Sequence, residues 1–239
     1  MITIALDHLR FDPHDTILDM GCGEGRHTAA LLDGHRGVCI AADRDHTTLV
    51  TCREKLIFHE QLTGKQGPPW AVSAADITDL AFKTDTFDGV ICSEVLEHIA
   101  DDERAVSELA RVIKPGGSLA VSVPRFWPEK VCWLLSEEYF NANQGHVRIY
   151  TKTEIQKKIE ARGFDLVKTH WAHSLHAPFW WLKCFVGPNR TDSLLVNLYH
   201  RFLVWDLMEK PLITRFLDRL LNPFLGKSLV FYFKETSKQ

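Results

Sequence analysis

"LDMGCGEG", residues 18–25, sets Gly21, Gly23 and Gly25 at alternate positions directly behind the carboxylate of Asp19. Just upstream, "TILDM" (16–20) is a short apolar run that stops at the glycines, as a buried parallel strand does. Downstream, "GRHTAALLDG" has the spacing of a helix closed by Gly34. A strand, a glycine turn and a helix in succession bring a nucleotide close to backbone, and the flanking residues decide which one. A dinucleotide turn needs a third glycine where this chain has Arg26, and a phosphate-cradling loop needs a lysine and a hydroxyl that do not follow Gly25. Asp19 would repel a phosphate, whereas it attracts a ligand bearing an ammonium or sulfonium charge.

The same punctuation recurs along the chain. "GVCIAAD" ends in Asp43, "WAVSAAD" in Asp76, "FDGVICSE" in Glu94 and "GGSLAVSVP" at Pro124. Between them, "HTTLVTCREKLIFHEQL" and "DDERAVSELARVIKPGG" have helical spacing, the second with an acidic first turn and a Pro-Gly-Gly stop, and "GKQGPP" (64–69) breaks the chain. "TKTEIQKKIEARGF" adds a helix, and "DLVKTHWA" and "SLVFYFKE" read as a sixth and a seventh strand. Strands alternating with helices predict an α/β, Rossmann-like seven-stranded, mostly parallel sheet with helices on both faces. Ligands of such sheets sit at the carboxyl ends of the strands, where Asp19, Asp43, Asp76 and Glu94 fall. The core is expected over 1–172 and 228–239, with 173–227 a helical insertion before the last strand.

Bulk composition excludes some functions. The 239 residues suit one large domain; 45% are hydrophobic, 25% are charged, and a net charge of -3 gives no pull toward nucleic acid. "MITIALDHLRFDPHD" lacks the pattern of a secretory signal, so a cytoplasmic location is expected, with peripheral attachment to the inner face of the membrane as a variant. Six cysteines stand singly without a C-x-x-C pair, which predicts buried thiols rather than disulfides or zinc.

The residues D-x-G-x-G-x-G at Asp19, Gly21, Gly23 and Gly25, with "FDGVICSEVLEHI" and "ARVIKPGGSL" following in order, resemble the class I S-adenosylmethionine-dependent methyltransferases. The stretch from about 16 to 123 is similar to their type 11 branch, which includes the ubiquinone and menaquinone methyltransferases. That resemblance implies S-adenosylmethionine as cofactor. It places Asp43 on the ribose hydroxyls, Asp76 near the adenine amino group with Ile77 alongside the base, and Ser93 at the cofactor's edge. The alternatives are a helix cap for Asp43 and a turn residue for Asp76.

Methyl transfer from a sulfonium needs alignment of donor and acceptor and calls for no metal. An acceptor phenol or enol would also need a base, and His146 is the candidate, in a segment "NQGHVRIYTKTEI" whose H-x-R-x-Y-T pattern related methyltransferases share. Its alternative is a loop histidine bonded to backbone. Glu94, Arg148 and Tyr150 are expected against the substrate, and His98 is expected to pack within its helix. The insertion is dense in aromatics, and Leu212, Ile213, Phe216, Leu217, Leu220 and Phe224 recur at helical spacing opposite Arg215, Asp218 and Arg219. That predicts a small, hydrophobic substrate under a lid, peripheral membrane contact through 173–227, or a homodimer face. A protein that binds S-adenosylmethionine without turnover is the reading from another class.

Overall fold

The computed structural model describes residues 2–9, 11–34, 37–64, 67–142 and 146–236, without the side chains of 140–142. Lys65 and Gln66 of the expected chain break, and residues 143–145 ahead of His146, lie outside these. Strands β1 (Thr16–Met20), β2 (Val38–Asp43), β3 (Trp70–Ala74), β4 (Phe87–Ser93), β5 (Ile113–Pro124), β6 (Phe164–Ala172) and β7 (Ser228–Glu235) form one sheet. Their order is β3-β2-β1-β4-β5-β7-β6, and β7 runs antiparallel to both of its neighbours. All seven coincide with the apolar runs of the sequence.

Alternation along each strand sends neighbouring side chains to opposite faces, and both faces are buried. Ile17 and Ile91 pack with Leu31 of α1 (Arg26–Gly34) and with Leu49 and Leu56 of α2 (His46–Thr63). Leu18, Val90 and Cys92 pack on the other face with Leu109 of α3 (Asp102–Val112) and Ile155 of α6 (Lys152–Glu160). Both faces being covered is why the strands read as continuous apolar runs instead of alternating ones. All six cysteines are free and buried.

One local expectation needs correction. Helix α3 ends at Val112, and Pro115-Gly116-Gly117 lies inside β5, where a register shift between Phe87 and Gly89 absorbs it; it does not terminate the helix. Two helices, α4 (Phe126–Leu135) and α5 (Glu137–Ala142), follow β5 in a stretch for which no element was expected. Pro128 in the first turn of α4 disguises a helix start as a loop, although a first-turn proline costs no hydrogen bond. Helices α7 (His176–Val186), α8 (Leu194–Glu209) and α9 (Leu212–Leu225) fill the segment between β6 and β7. Helix α4 packs on α7 through Cys132, Cys184, Trp180 and Trp181, so the added helical layer starts before 173. Among the described residues, no helix is long and apolar enough to cross a membrane.

Candidate active site

Strand order reverses between β1 and β4, and the glycine turn sits at that switch point, where open α/β sheets take their ligands. Gly21 N and Cys22 N both donate to Ala42 O at 2.7 and 2.9 Å, which folds the turn back onto β2. Gly21 has φ +73°, and a Cβ there would lie 2.2 Å from Val95 Cγ2, so the turn touches the chain that leaves β4. A Cβ on Gly25 would meet Cys52 Sγ at 2.7 Å. Gly23 differs: at φ +53° it has no heavy atom within 4 Å of an added Cβ, and its side of the turn is open.

Asp43 borders that opening. Its Oδ2 accepts from Gly23 N and its Oδ1 from Asp45 N, both at 3.0 Å. Asp45, not Asp43, caps α2 by accepting from Thr48 N. Each carboxylate oxygen of Asp43 keeps a lone pair for a further donor. Asp19 is 1% exposed, and its Oδ2 accepts from Thr28 N (3.0 Å) and Thr28 Oγ1 (2.7 Å), tying β1 to α1. Burial pushes its carboxyl up to about 6 against those bonds. Asp76 lies at the end of β3, next to the end of β2, and accepts from Thr78 N and Thr78 Oγ1, the bonds that hold its carboxyl below the usual range. Ile77 is buried in the core cluster.

The chain leaving β4 carries the second half of the site. Ser93 donates to Ser122 Oγ at 2.9 Å, since Ser122 gives its own proton to Glu94 Oε1, also at 2.9 Å. Glu94 stands at φ +57° and is half-buried, and desolvation raises its carboxyl. Three residues on, Glu97 is buried and neither of its carboxylate oxygens has a hydrogen-bond partner. Val147 N donates to Glu97 O (2.9 Å), which draws the His146 segment against Leu96–His98. His146 Nδ1 lies 2.9 Å from Glu129 Oε1 of α4, which also accepts from Tyr139 Oη at 3.2 Å. The rings of His98 and His146 stand 4.7 Å apart, edge to face, and the His98 side chain is 41% exposed. The expectation that His98 packs inside a helix fails because Leu96–His98 is one short 3-10 turn that projects the ring toward His146. Arg148 pairs with Asp102 and donates to Ala100 O, while the buried Tyr150 hydroxyl goes to Asp102 and Leu96 O.

Sequence reading thus named His146, Ser93 and Glu94, and missed Glu97, Glu129 and Ser122. The Glu-x-x-Glu-His spacing over 94–98 was the available signal for Glu97; Glu129 had none, because its helix was not foreseen. The residues present fit a nucleoside sulfonium: the turn is open at Gly23, the Asp43 carboxylate rims it, and Arg26 and His27 stand after Gly25 where a phosphate loop has its lysine and hydroxyl.

Comparison with known proteins agrees. Residues 18–121 match the type 11 family model described as a methyltransferase domain. The ubiquinone/menaquinone biosynthesis C-methyltransferase UbiE of Teredinibacter turnerae is 35% identical over 121 residues, 50% of this chain and 46% of that protein. The O-methyltransferase cnsE of Penicillium expansum is 31% identical over 108 residues, 44% of this chain and 37% of that protein. The chain spans from about a quarter to about half the length of the first curated relatives it matches. Phosphoethanolamine N-methyltransferase 2 of Haemonchus contortus, solved with S-adenosyl-L-methionine, superposes with a TM-score of 0.63 at 16% identity, over 97% of this chain and 51% of that one. Strand order and glycine turn agree with that match: residues 18–121 are similar to the methyltransferase domain of the type 11 family and lie on a seven-stranded, mostly parallel, Rossmann-like sheet.

Proposed function

We propose that the protein transfers the methyl group of S-adenosylmethionine to a small, lipophilic acceptor by in-line displacement. The open face of the turn at Gly23, rimmed by the Asp43 carboxylate, carries this reading. When bound, the cofactor supplies an activated methyl whose departure leaves a neutral thioether and, at a protic acceptor, one proton to remove. Asp43 takes the ribose hydroxyls on its remaining lone pairs, and Gly23 admits the ligand to the backbone. Asp76 and Ile77 border the base, Asp19 fixes the turn through Thr28, and Ser93 fixes the end of β4 through Ser122. His146, held by Glu129, is where the acceptor's proton is handled, beside Glu94. Arg148 and Tyr150 serve the substrate side by bracing the His146 segment on Asp102.

The insertion, 173–227, supports a lipophilic acceptor. His173 lies close enough to Arg26, at the end of the glycine turn, to feel its charge, and it lines a cavity of about 450 Å³ with His176, Arg215 and Asp218. Leu175 belongs to that cavity and also to an apolar groove of about 470 Å³ formed with Leu182, Leu198, Phe202 and Leu217. The names of the curated relatives, a quinone C-methyltransferase and an O-methyltransferase, agree with a small acceptor. The test is incubation with methyl-labelled cofactor and an extract of the producing organism, followed by solvent partition. Label in the organic phase, lost in His146→Ala with cofactor affinity kept, is the expected result. Label confined to water would remove the lipophilic acceptor, and cofactor binding without transfer would make the protein a binding subunit.

A further inference from the structure

We propose that Glu97, His98 and His146 form a site for one divalent cation of the zinc class, completed by a hydroxyl oxygen of the acceptor. One ligand atom from each side chain lies within 4.8 Å of the other two. The independent pointer is Glu97: its side chain is 1% exposed, and both of its oxygens lack a hydrogen-bond partner. Its nearest ionic contact, His98 Nε2 at 3.9 Å, is beyond hydrogen-bond reach. A buried carboxylate left in this state is costly unless a cation or a proton completes it.

The surroundings favour the cation. His146 Nδ1 is engaged by Glu129, which leaves Nε2 as the ring's ligating nitrogen; a carboxylate on the far nitrogen is the usual orienting partner of a metal-bound imidazole. The Val147–Glu97 backbone bond fixes the two segments against each other. Glu97 and Glu129 are buried and Glu94 is half-buried; Lys227 acts on all three acids, and Arg26 acts on Glu94 besides. A dication offsets this excess of acid. Two imidazoles and one carboxylate form a donor set that zinc takes with a fourth position open, whereas magnesium prefers oxygen ligands. His98 is 41% exposed, so the cluster is reachable from solvent, and Val95, two residues before Glu97, borders the glycine turn.

The role of the cation rests on the methyl-transfer reading and names its acceptor atom. A hydroxyl held by the cation loses its proton to solvent near neutral pH. Its oxygen then bonds to the methyl carbon as the carbon–sulfur bond breaks and the electron pair leaves with sulfur. In this site His146 acts as a ligand of the cation and takes no proton itself.

Tag-free protein, stripped by chelator and dialysed, is titrated calorimetrically with Zn²⁺, Mn²⁺ and Mg²⁺ in the absence of cofactor and acceptor, and Co²⁺ is added for its visible spectrum. One equivalent of Zn²⁺ and the d–d bands of a low-coordinate cobalt site are expected, with Glu97→Gln and His146→Ala each weakening Zn²⁺ at least about tenfold. His98→Ala, at a half-exposed position, keeps the fold by circular dichroism and loses the ion to the same degree. No ion bound by the wild-type chain, or unchanged affinity in His98→Ala and His146→Ala, overturns the site. Transfer at full rate after stripping would leave the methyltransferase standing without a cation; one tight Zn²⁺ without transfer to any extract component would keep the site and remove the methyltransferase.

Discussion

Gly21 and Gly23 share one turn but answer to different constraints, and alanine tells them apart. At Gly21 the methyl group would have to displace Val95, 2.2 Å away, from a backbone already at φ +73°. Overpacking and left-handed strain together are expected to remove about 2–4 kcal/mol, so Gly21→Ala lowers the thermal midpoint and the cofactor affinity together. At Gly23 only the strain of φ +53° applies, about 1–2 kcal/mol, because no atom lies near the new methyl. Gly23→Ala is therefore expected to fold and to lose S-adenosylmethionine affinity by calorimetry; unchanged affinity would show that the ligand does not pass over Gly23. The glycines, Asp19 and Asp43 were legible because their meaning is local: a turn and the strand that ends at it. Asp45 as the true cap of α2 was readable too, two residues beyond the expected one. Glu129 was not, since its role depends on His146, which tertiary packing brings to it, and the Glu-x-x-Glu-His spacing that marks Glu97 does not tell that the His146 segment folds back onto it.

Strands were the easiest elements to read, because burial on both faces gives uninterrupted apolar runs that end in acids or turns. The N-terminal segment was the hardest, since its attachment depends on side chains far along the chain: His27, His173 and Tyr232. His27 on α1 is buried, and its Nε2 accepts from Thr3 N at 3.2 Å and Ile4 N at 3.3 Å, holding Ile4 in the core. Burial first, then the charge of Arg26, lowers its pKa from 6.5 to about 3. The neutral ring is thus favoured in the fold, and the unfolded chain binds the extra proton below pH 6.5. Stability from this contact is fully present above that pH and falls progressively as pH drops toward 3. A protonated Nε2 can no longer accept, so amide-exchange protection at Thr3 and Ile4 is expected to decline from pH 7 to pH 5 beyond the intrinsic rate change. His27→Gln should abolish that decline, and constant protection in the wild type would refute the coupling. Asp19 runs the other way: with its carboxyl raised to about 6, its contribution weakens as pH rises from about 4 to 6, roughly 3 kcal/mol at the limit.

Over the whole molecule, the insertion is docked with its polar side inward. Asp218 Oδ1 accepts from Ser174 Oγ (2.6 Å), Asn222 Oδ1 accepts from Ser174 N (3.0 Å), and Arg125 donates to Pro223 O (2.9 Å), so Asp218 and Asn222 of α9 face the core. Leu212, Ile213, Phe216, Leu220 and Phe224 consequently point outward, with Leu212 84% and Phe216 68% exposed. Periodicity announced a two-faced helix in the sequence, but not which face the core would take, because that choice belongs to Ser174 and Arg125 on other elements. An apolar stripe of this size, left uncovered, marks an interface. Lys210, Arg215 and Arg219 on or beside α9 favour an anionic lipid surface over a neutral one. Two large apolar side chains reaching the acyl boundary contribute roughly 3 kcal/mol or more, so Ile213→Glu with Phe216→Glu should weaken partitioning to anionic vesicles at least about 100-fold. Sedimentation with vesicles of stated charge measures it, and the fold is checked by an unchanged melting temperature. Absence of wild-type binding to both anionic and neutral vesicles would discard the lipid surface; a dimer in light scattering that the same double variant dissociates would assign the stripe to a second copy of the chain.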